Sequence, residues 1–232
     1  DGVPYLDFAN TGLTAGDITP TAMSVNTKAG FSIVKWSGNS TSNATLPTGL
    51  TDNVEFLIIK NLDSSTSWFV SMPDFNTELY LDTPASNFYP YYNISNTNNL
   101  ITFGTSSNIT VNNSGNYIAY CWHSVAGYSK FGSYTGNGSA DGPFVYTGFR
   151  PAWVMVKGIE ANNAHAWKVW NNASDPHNLS VKPLWPNLPN PEPSGLTMGI
   201  DFLSNGFKIR SNDLVENAAY KYIFMAFAEH SM

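Results

Sequence analysis

The chain has 232 residues, 42% of them hydrophobic and 14% aromatic, against only 12% charged and a formal net charge of -6. That is ample apolar material for one or two packed cores, and it excludes an intrinsically disordered chain. Arg150 and Arg210 are its arginines and no lysine cluster accompanies them, which removes the basic footprint of nucleic-acid binding.

So few charges leave the polar surface to Asn, Ser and Thr, a composition met in extracellular and virion-surface β-proteins. The longest apolar runs, Ala152 to Val156 and Tyr222 to Ala228, fall far short of the ~20 residues that a membrane-spanning helix needs. No membrane insertion is expected. Asp1 opens the chain with neither Met nor a basic-then-apolar leader, so a processed chain or a fragment of a longer one is expected. Cys121 is the single cysteine, which rules out an internal disulfide and a cysteine-rich zinc site. Its setting in "YIAYCWHS" predicts a buried strand thiol.

Residues 1–25 carry Pro4, Pro20 and several Gly and Thr with little periodicity, which predicts an N-terminal arm, either a linker or a strand donated to a neighbour. Then come "GFSIVKWSGN" from Gly30, "TGLTDNVEFLIIKN" from Thr48, "SWFVS" around Trp68, "LYLDTPASN" from Leu79, "LITFGTSSNITV" with Phe103, and "GNYIAYCWHS" from Gly115. The chain then repeats itself. "GYSKFGSYTGN" from Gly127, "TGFRPAWVMVKG" from Thr147, "AWKVW" around Trp167, "LSVKPLWPN" from Leu179, "GIDFLSNGFKIR" with Phe202 and "YKYIFMAFAEHS" from Tyr220 follow in the same order. Matches kept in order at a spacing of about a hundred residues mean duplication, with units at 26–125 and 126–232.

Each unit reads as short strands. Phe56 to Ile59 and Trp153 to Val156 are apolar runs bounded by turn residues, and "LSNGF" places Asn205-Gly206 as a hairpin signal. No window holds a helical apolar stripe longer than two turns. The fold expected is all-β: two tandem antiparallel β-sandwich units of jelly-roll or lectin-like type behind a short arm. The connection "HSVAGYSK" is short enough to predict two units held together.

The run "VAGYSKFGSYTGNGSADGPFVYTGFRPAWVMVKG", with "IDFLSNGFKIR" and the closing "YIFMAFAEHS", resembles a repeated domain of virion structural and tail-fibre-like proteins of tailed bacteriophages, marine ones especially. "AGFSIVKWSGN", "LPTGL" and "FLIIKN" resemble the adjoining copy. The resemblance covers nearly everything after residue 25. It implies a protein of the virion surface, in a fibre or decoration, with an adhesive role and no catalytic residues to carry over. Where the first copy of that family has "TVGHGL", this chain has "TLPTGL", so the His is missing.

Independent signs of chemistry are few. His123, His165, His177 and His230 lack metalloprotease spacing, and no Gly-x-Ser-x-Gly elbow or phosphate loop occurs. No cofactor or metal is expected, and no EF-hand spacing marks a calcium loop. Asp141, Asp175, Glu192, Asp201, Glu216 and Glu229 could supply a glycosidase pair, but most lie in turns where carboxylates bind backbone amides. Aromatic loops are the sharper signal. "NFYPYYN" and "VKPLWPNLPNP" hold Tyr89, Tyr91, Tyr92 and Trp185 on Pro-stiffened loops; with Trp170 these are the candidate ligand or interface aromatics. Trp36, Trp68, Trp122, Trp153 and Trp167 are expected in the core. The partners expected are other virion proteins, copies of the chain in a homo-oligomer such as a trimeric fibre, and host surface glycan. The alternative is a free lectin-like carbohydrate-binding module accompanying a polysaccharide-degrading enzyme.

Overall fold

The computed structural model describes residues 3–5, 16–73, 78–83, 86–87, 94–104, 111–159, 165–193, 198–212 and 214–230. It is all-β, with antiparallel pairing throughout the paired strands and one short helix among the described residues. By residue contacts the chain divides into two compact units, Asp1–Tyr80 with Tyr89–His123, and Leu81–Phe88 with Ser124–Met232.

The first unit contains β1 (Val3–Tyr5), β2 (Ala22–Asn26), β3 (Phe31–Gly38), β4 (Ala44–Pro47), β5 (Phe56–Asn61), β6 (Phe69–Ser71) and β7 (Glu78–Tyr80). The two-residue β8 (Ser86–Asn87) is grouped with the second unit, and β9 (Ser95–Thr97), β10 (Leu100–Phe103) and β11 (Gly115–Trp122) return to the first. Its larger sheet runs β1-β2-β3-β11-β5-β6-β7, and its smaller one runs β4-β10-β9. Strict alternation aims the side chains: Ser32, Val34 and Trp36 on β3, and Tyr117, Ala119 and Cys121 on β11, face the core. Trp36 fixes the packing of sheet on sheet. Its ring stacks on Tyr117 of its own sheet at 5.2 Å and on Phe103 of the smaller sheet at 5.7 Å. Burying one such ring contributes about 4–6 kcal/mol before its ordering entropy is subtracted. Asn98 and Asn99, both at positive φ, close the β9–β10 hairpin. Cys121 is fully buried, and burial pushes its thiol up to about 12.

The second unit contains β12 (Ser129–Thr135), β13 (Phe144–Tyr146), β14 (Pro151–Gly158), β15 (Lys168–Asn171), β16 (Ile200–Leu203), β17 (Gly206–Ile209), α1 (Leu214–Asn217) and β18 (Lys221–Ala228). Its sheets run β12-β18-β14-β15 and β13-β17-β16. Element for element this is the order β3-β11-β5-β6 and β4-β10-β9 of the first unit. Tyr134 and Tyr222 stack at 5.0 Å in the place of Trp36 and Tyr117, and Phe207 meets Tyr134 edge-on.

A matching polar clamp closes each unit. Asn112 accepts a bond from Asn39 N at 3.2 Å and donates to Asn39 Oδ1 at 3.0 Å and Thr41 O at 3.3 Å. Asn217 accepts one from Asn137 N at 3.0 Å and donates to Asn137 Oδ1 at 3.2 Å and Ser139 O at 2.6 Å. The glycine before each partner has no room for a side chain. A Cβ on Gly38 would lie 1.8 Å from Asn113 O, and one on Gly136 2.0 Å from Ala218 O.

Three expectations need correction. The described part of the supposed arm is built into its own unit: Ile18 and Met23 are 3% and 5% exposed in the core, and β2 pairs with β3 from Ala22↔Lys35 to Asn26↔Phe31. The segment was illegible because only Met23 and Val25 alternate there, among Thr, Ser and Pro. Second, topology pairs β10 with β17 and β9 with β16, so Phe103 does not correspond to Phe202, which lies on β16. Third, Trp68 is 36% exposed rather than core, and Trp122 and Trp153 are half-buried, whereas Trp36 and Trp167 are buried. "NITV" lies outside the described residues except for Val111, which is buried in a turn.

Candidate contact surface

Tyr89, Tyr91 and Tyr92 lie outside the described residues. Trp170 is no surface residue: it is fully buried on β15 opposite Val154, and its indole donates to Met198 O at 3.4 Å. Trp185 is half-buried beside the bridge Val169↔Leu184, in a turn where Leu188 N donates to Trp185 O at 3.2 Å. Trp170→Ala is expected to lower unfolding free energy by about 3–5 kcal/mol and Trp185→Ala by under about 1.5, read from urea titrations. Equal losses would contradict these placements.

The aromatic rings most open to solvent among the described residues are elsewhere. Tyr146 is 65% exposed and Phe144 46% exposed, flanking buried Val145 on β13. The alternation of a three-residue strand puts both rings on one outward face while Val145 points into the core. Their seats are built from glycine. A Cβ on Gly206 would come within 3.0 Å of the Phe144 ring, and one on Gly148, held at φ +85, within 3.6 Å of the Tyr146 hydroxyl. Gly206 is also the cross-strand partner of Tyr146, so nothing rises opposite that ring.

Charged groups border the rings. Lys208, the cross-strand partner of Phe144, pairs with Asp141 at 2.9 Å and donates to Gly142 O at 2.7 Å. Asp201, opposite Lys208 on β16, pairs with Arg210 at 3.5 Å. The hydrogen bond and charge of Lys208 hold the Asp141 carboxyl below its usual range. Asp141 is thus a carboxylate that accepts hydrogen bonds rather than a proton donor. Two rings and an acceptor–donor row can stack an apolar sugar face and bind its hydroxyls.

Three of the other four carboxylates singled out in the sequence are occupied individually. Asp175 accepts from Val181 N at 2.7 Å, and Glu229 pairs with Arg150 at 2.9 Å and accepts from Asn172 at 2.9 Å. Glu192 is exposed. Glu216 is fully buried and bound to the equally buried Lys168. His123 lies 3.9 Å from Asp52, His165 is buried, His177 and His230 are exposed, and no metal-binding cluster occurs among the described residues.

Lys157 is a second buried cation, donating to His165 O, and burial lowers its ammonium to about 8 from 10.5. Below pH 8 it is charged folded and unfolded alike, and the burial penalty applies in full. Between pH 8 and 10.5 the folded state releases its proton before the unfolded chain does, so this group's contribution to stability rises with pH. Tyr134, raised above 10.0 by burial, acts the other way once pH passes 10. The stability of the second unit is expected to climb from pH 8 to 10 and Lys157→Met to abolish the climb; a flat wild-type profile would contradict it.

The family model "Domain of unknown function (DUF7483)" matches residues 7–231, so the chain belongs to that family. No curated protein and no solved structure matches the chain.

Proposed function

We propose that this DUF7483 member is a non-catalytic structural protein of a tailed-bacteriophage virion surface, built as two β-sandwich units in tandem, and that its second unit takes part in host-surface recognition. The assignment to a virion rests on the sequence resemblance. The shared strand order and the repeated Asn clamps support a tandem pair of one architecture. The single observation that carries the recognition role is the β13 strip, two large rings held outward beside a row of fixed charges.

The ligand class that fits the strip is a surface glycan. Phe144→Ser and Tyr146→Ser together are expected to lower adsorption to host cells roughly tenfold or more while leaving the melting temperature nearly unchanged, since the rings contribute little to the core. Unaltered adsorption would remove the strip from the contact. The same ring and carboxylate pattern also suits a free lectin-like module. Presence of the chain in purified particles separates the two, because a free module would be absent from them.

A further inference from the structure

The two units share an architecture but differ along one side. In the first, residues 16–26 form a strap across the open edges of both sheets. Ile18 N donates to Thr45 O at 2.9 Å, Thr45 N to Asp17 Oδ2 at 3.0 Å, and Asp17 N to Thr45 Oγ1 at 2.9 Å, which satisfies the outer edge of β4. Gly16 permits the approach, since a Cβ there would lie 2.6 Å from Thr45 O. Thr21 N then donates to Lys35 O at 2.7 Å, and β2 runs along the edge of β3.

The second unit has the same two edges, β13 and β12, and no strap among the described residues. The common order aligns Thr45 with Phe144 and Lys35 with Ser133. Toward β17, Pro143 accepts from Ile209 N at 3.0 Å and Thr147 donates to Asn205 O at 3.0 Å. Antiparallel alternation therefore turns the N–H and C=O of Phe144 and Tyr146 away from β17, to an edge with no partner among the described residues. On β12, Val125 bridges Ser129 and Ser124 Oγ accepts from Phe131 N at 3.1 Å, and among the described residues Ser133 has no partner along this edge. A strand side this bare invites pairing.

We propose that the second unit is completed by an extended segment of another protein chain, running along β13 and β12 as Gly16–Asn26 runs along β4 and β3. The first unit supplies the template for its chemistry: a glycine and a carboxylate to meet the edge N–H of Phe144, then an alternating aliphatic strand for β12. Among the described residues each copy has one strap and two such sides, so the strap of a second copy could fill the vacant one only by baring its own first unit. Tyr146 half-fills the vacancy. Its ring lies over Gly148 where Val25 and Met23 lie over Gly49, and it stays 65% exposed. The inference concerns the backbone edges and does not depend on glycan binding by the rings.

The test adds a synthetic peptide of the Gly16–Asn26 sequence to the intact protein and follows binding by calorimetry and protection by hydrogen exchange. Saturable binding below about 1 mM, with new protection at Ser133 and Phe144, is expected. Ser133→Pro and Phe144→Pro remove outward N–H groups, which edge strands tolerate, and each is expected to weaken binding roughly tenfold. Should Phe144→Pro not fold, Ser133→Pro still decides. No saturable binding, binding indifferent to the Pro variants, or protection confined to Thr45 because the peptide displaces the resident strap would each overturn the proposal. Glycan adsorption that fails with Tyr146→Ser while the peptide does not bind leaves the glycan reading standing and this one refuted.

Discussion

Glu216→Ala is expected to lower the stability of the second unit by about 3–5 kcal/mol, a large part of the stability of a unit this size. Glu216 and Lys168 are 0% and 1% exposed at the side chain, and their contact links β15 to α1, just before β18. Removing the carboxylate takes a charge-compensating partner away from an ammonium in the interior. The loss therefore reflects stranding a charge rather than the net worth of the pair. Replacing both partners by apolar residues of similar volume, Lys168→Met with Glu216→Leu, is expected to recover most of it. Urea unfolding of the three proteins checks this; a single variant within 1 kcal/mol of wild type, by roughly the scale of a surface substitution, would mean the pair is hydrated.

Asn217→Ala is expected to cost about 3 kcal/mol, and Asn112→Ala a comparable amount in the other unit. Asn217 is fully buried, and besides its exchange with Asn137 it donates to Ser139 O and Ser211 O, both at 2.6 Å. Truncation removes both of those bonds, one of them to the buried Ser211. Asn112 holds Asn39 and Thr41 in the matching way, with no counterpart to the Ser211 bond among the described residues, so its loss is expected to be the smaller by about 1 kcal/mol. Gly38→Ala and Gly136→Ala are expected to reproduce both losses, because each new methyl would enter a backbone carbonyl. Differential calorimetry that assigned a large loss to one unit and none to the other would contradict an equivalent role for the two clamps.

Much of this fold was legible because its strands carry strong signals. "FSIVKWSG" and "YIAYCW" alternate cleanly, and "SGN" and "TGN" mark the positions where the clamps form. Weak signals fell where strands lie at edges and bury little. Residues 1–25 read as a linker or a strand donated to a neighbour because a strap such as residues 16–26 needs few apolar side chains when its backbone bonds do the holding. The exposed β13 strip was hidden for a different reason. "FVY" has the same alternation as a core strand, and periodicity shows which residues share a face without showing which face is wet. Val145 alone enters the core, and two aromatics follow the opposite phase. Trp170 misled in the reverse sense, since "KVWN" between turns gave no hint that its ring closes the second core.

The central claim is that this chain stands on a virion surface and makes contact through the β13 side of its second unit. Electron cryomicroscopy of purified particles of a phage encoding it tests that most directly. The account predicts copies on the particle exterior, with the Phe144 and Tyr146 strip turned outward and added strand density along β13 and β12. Particles that lack the chain, or hold it with that side bare and facing the interior, would contradict it.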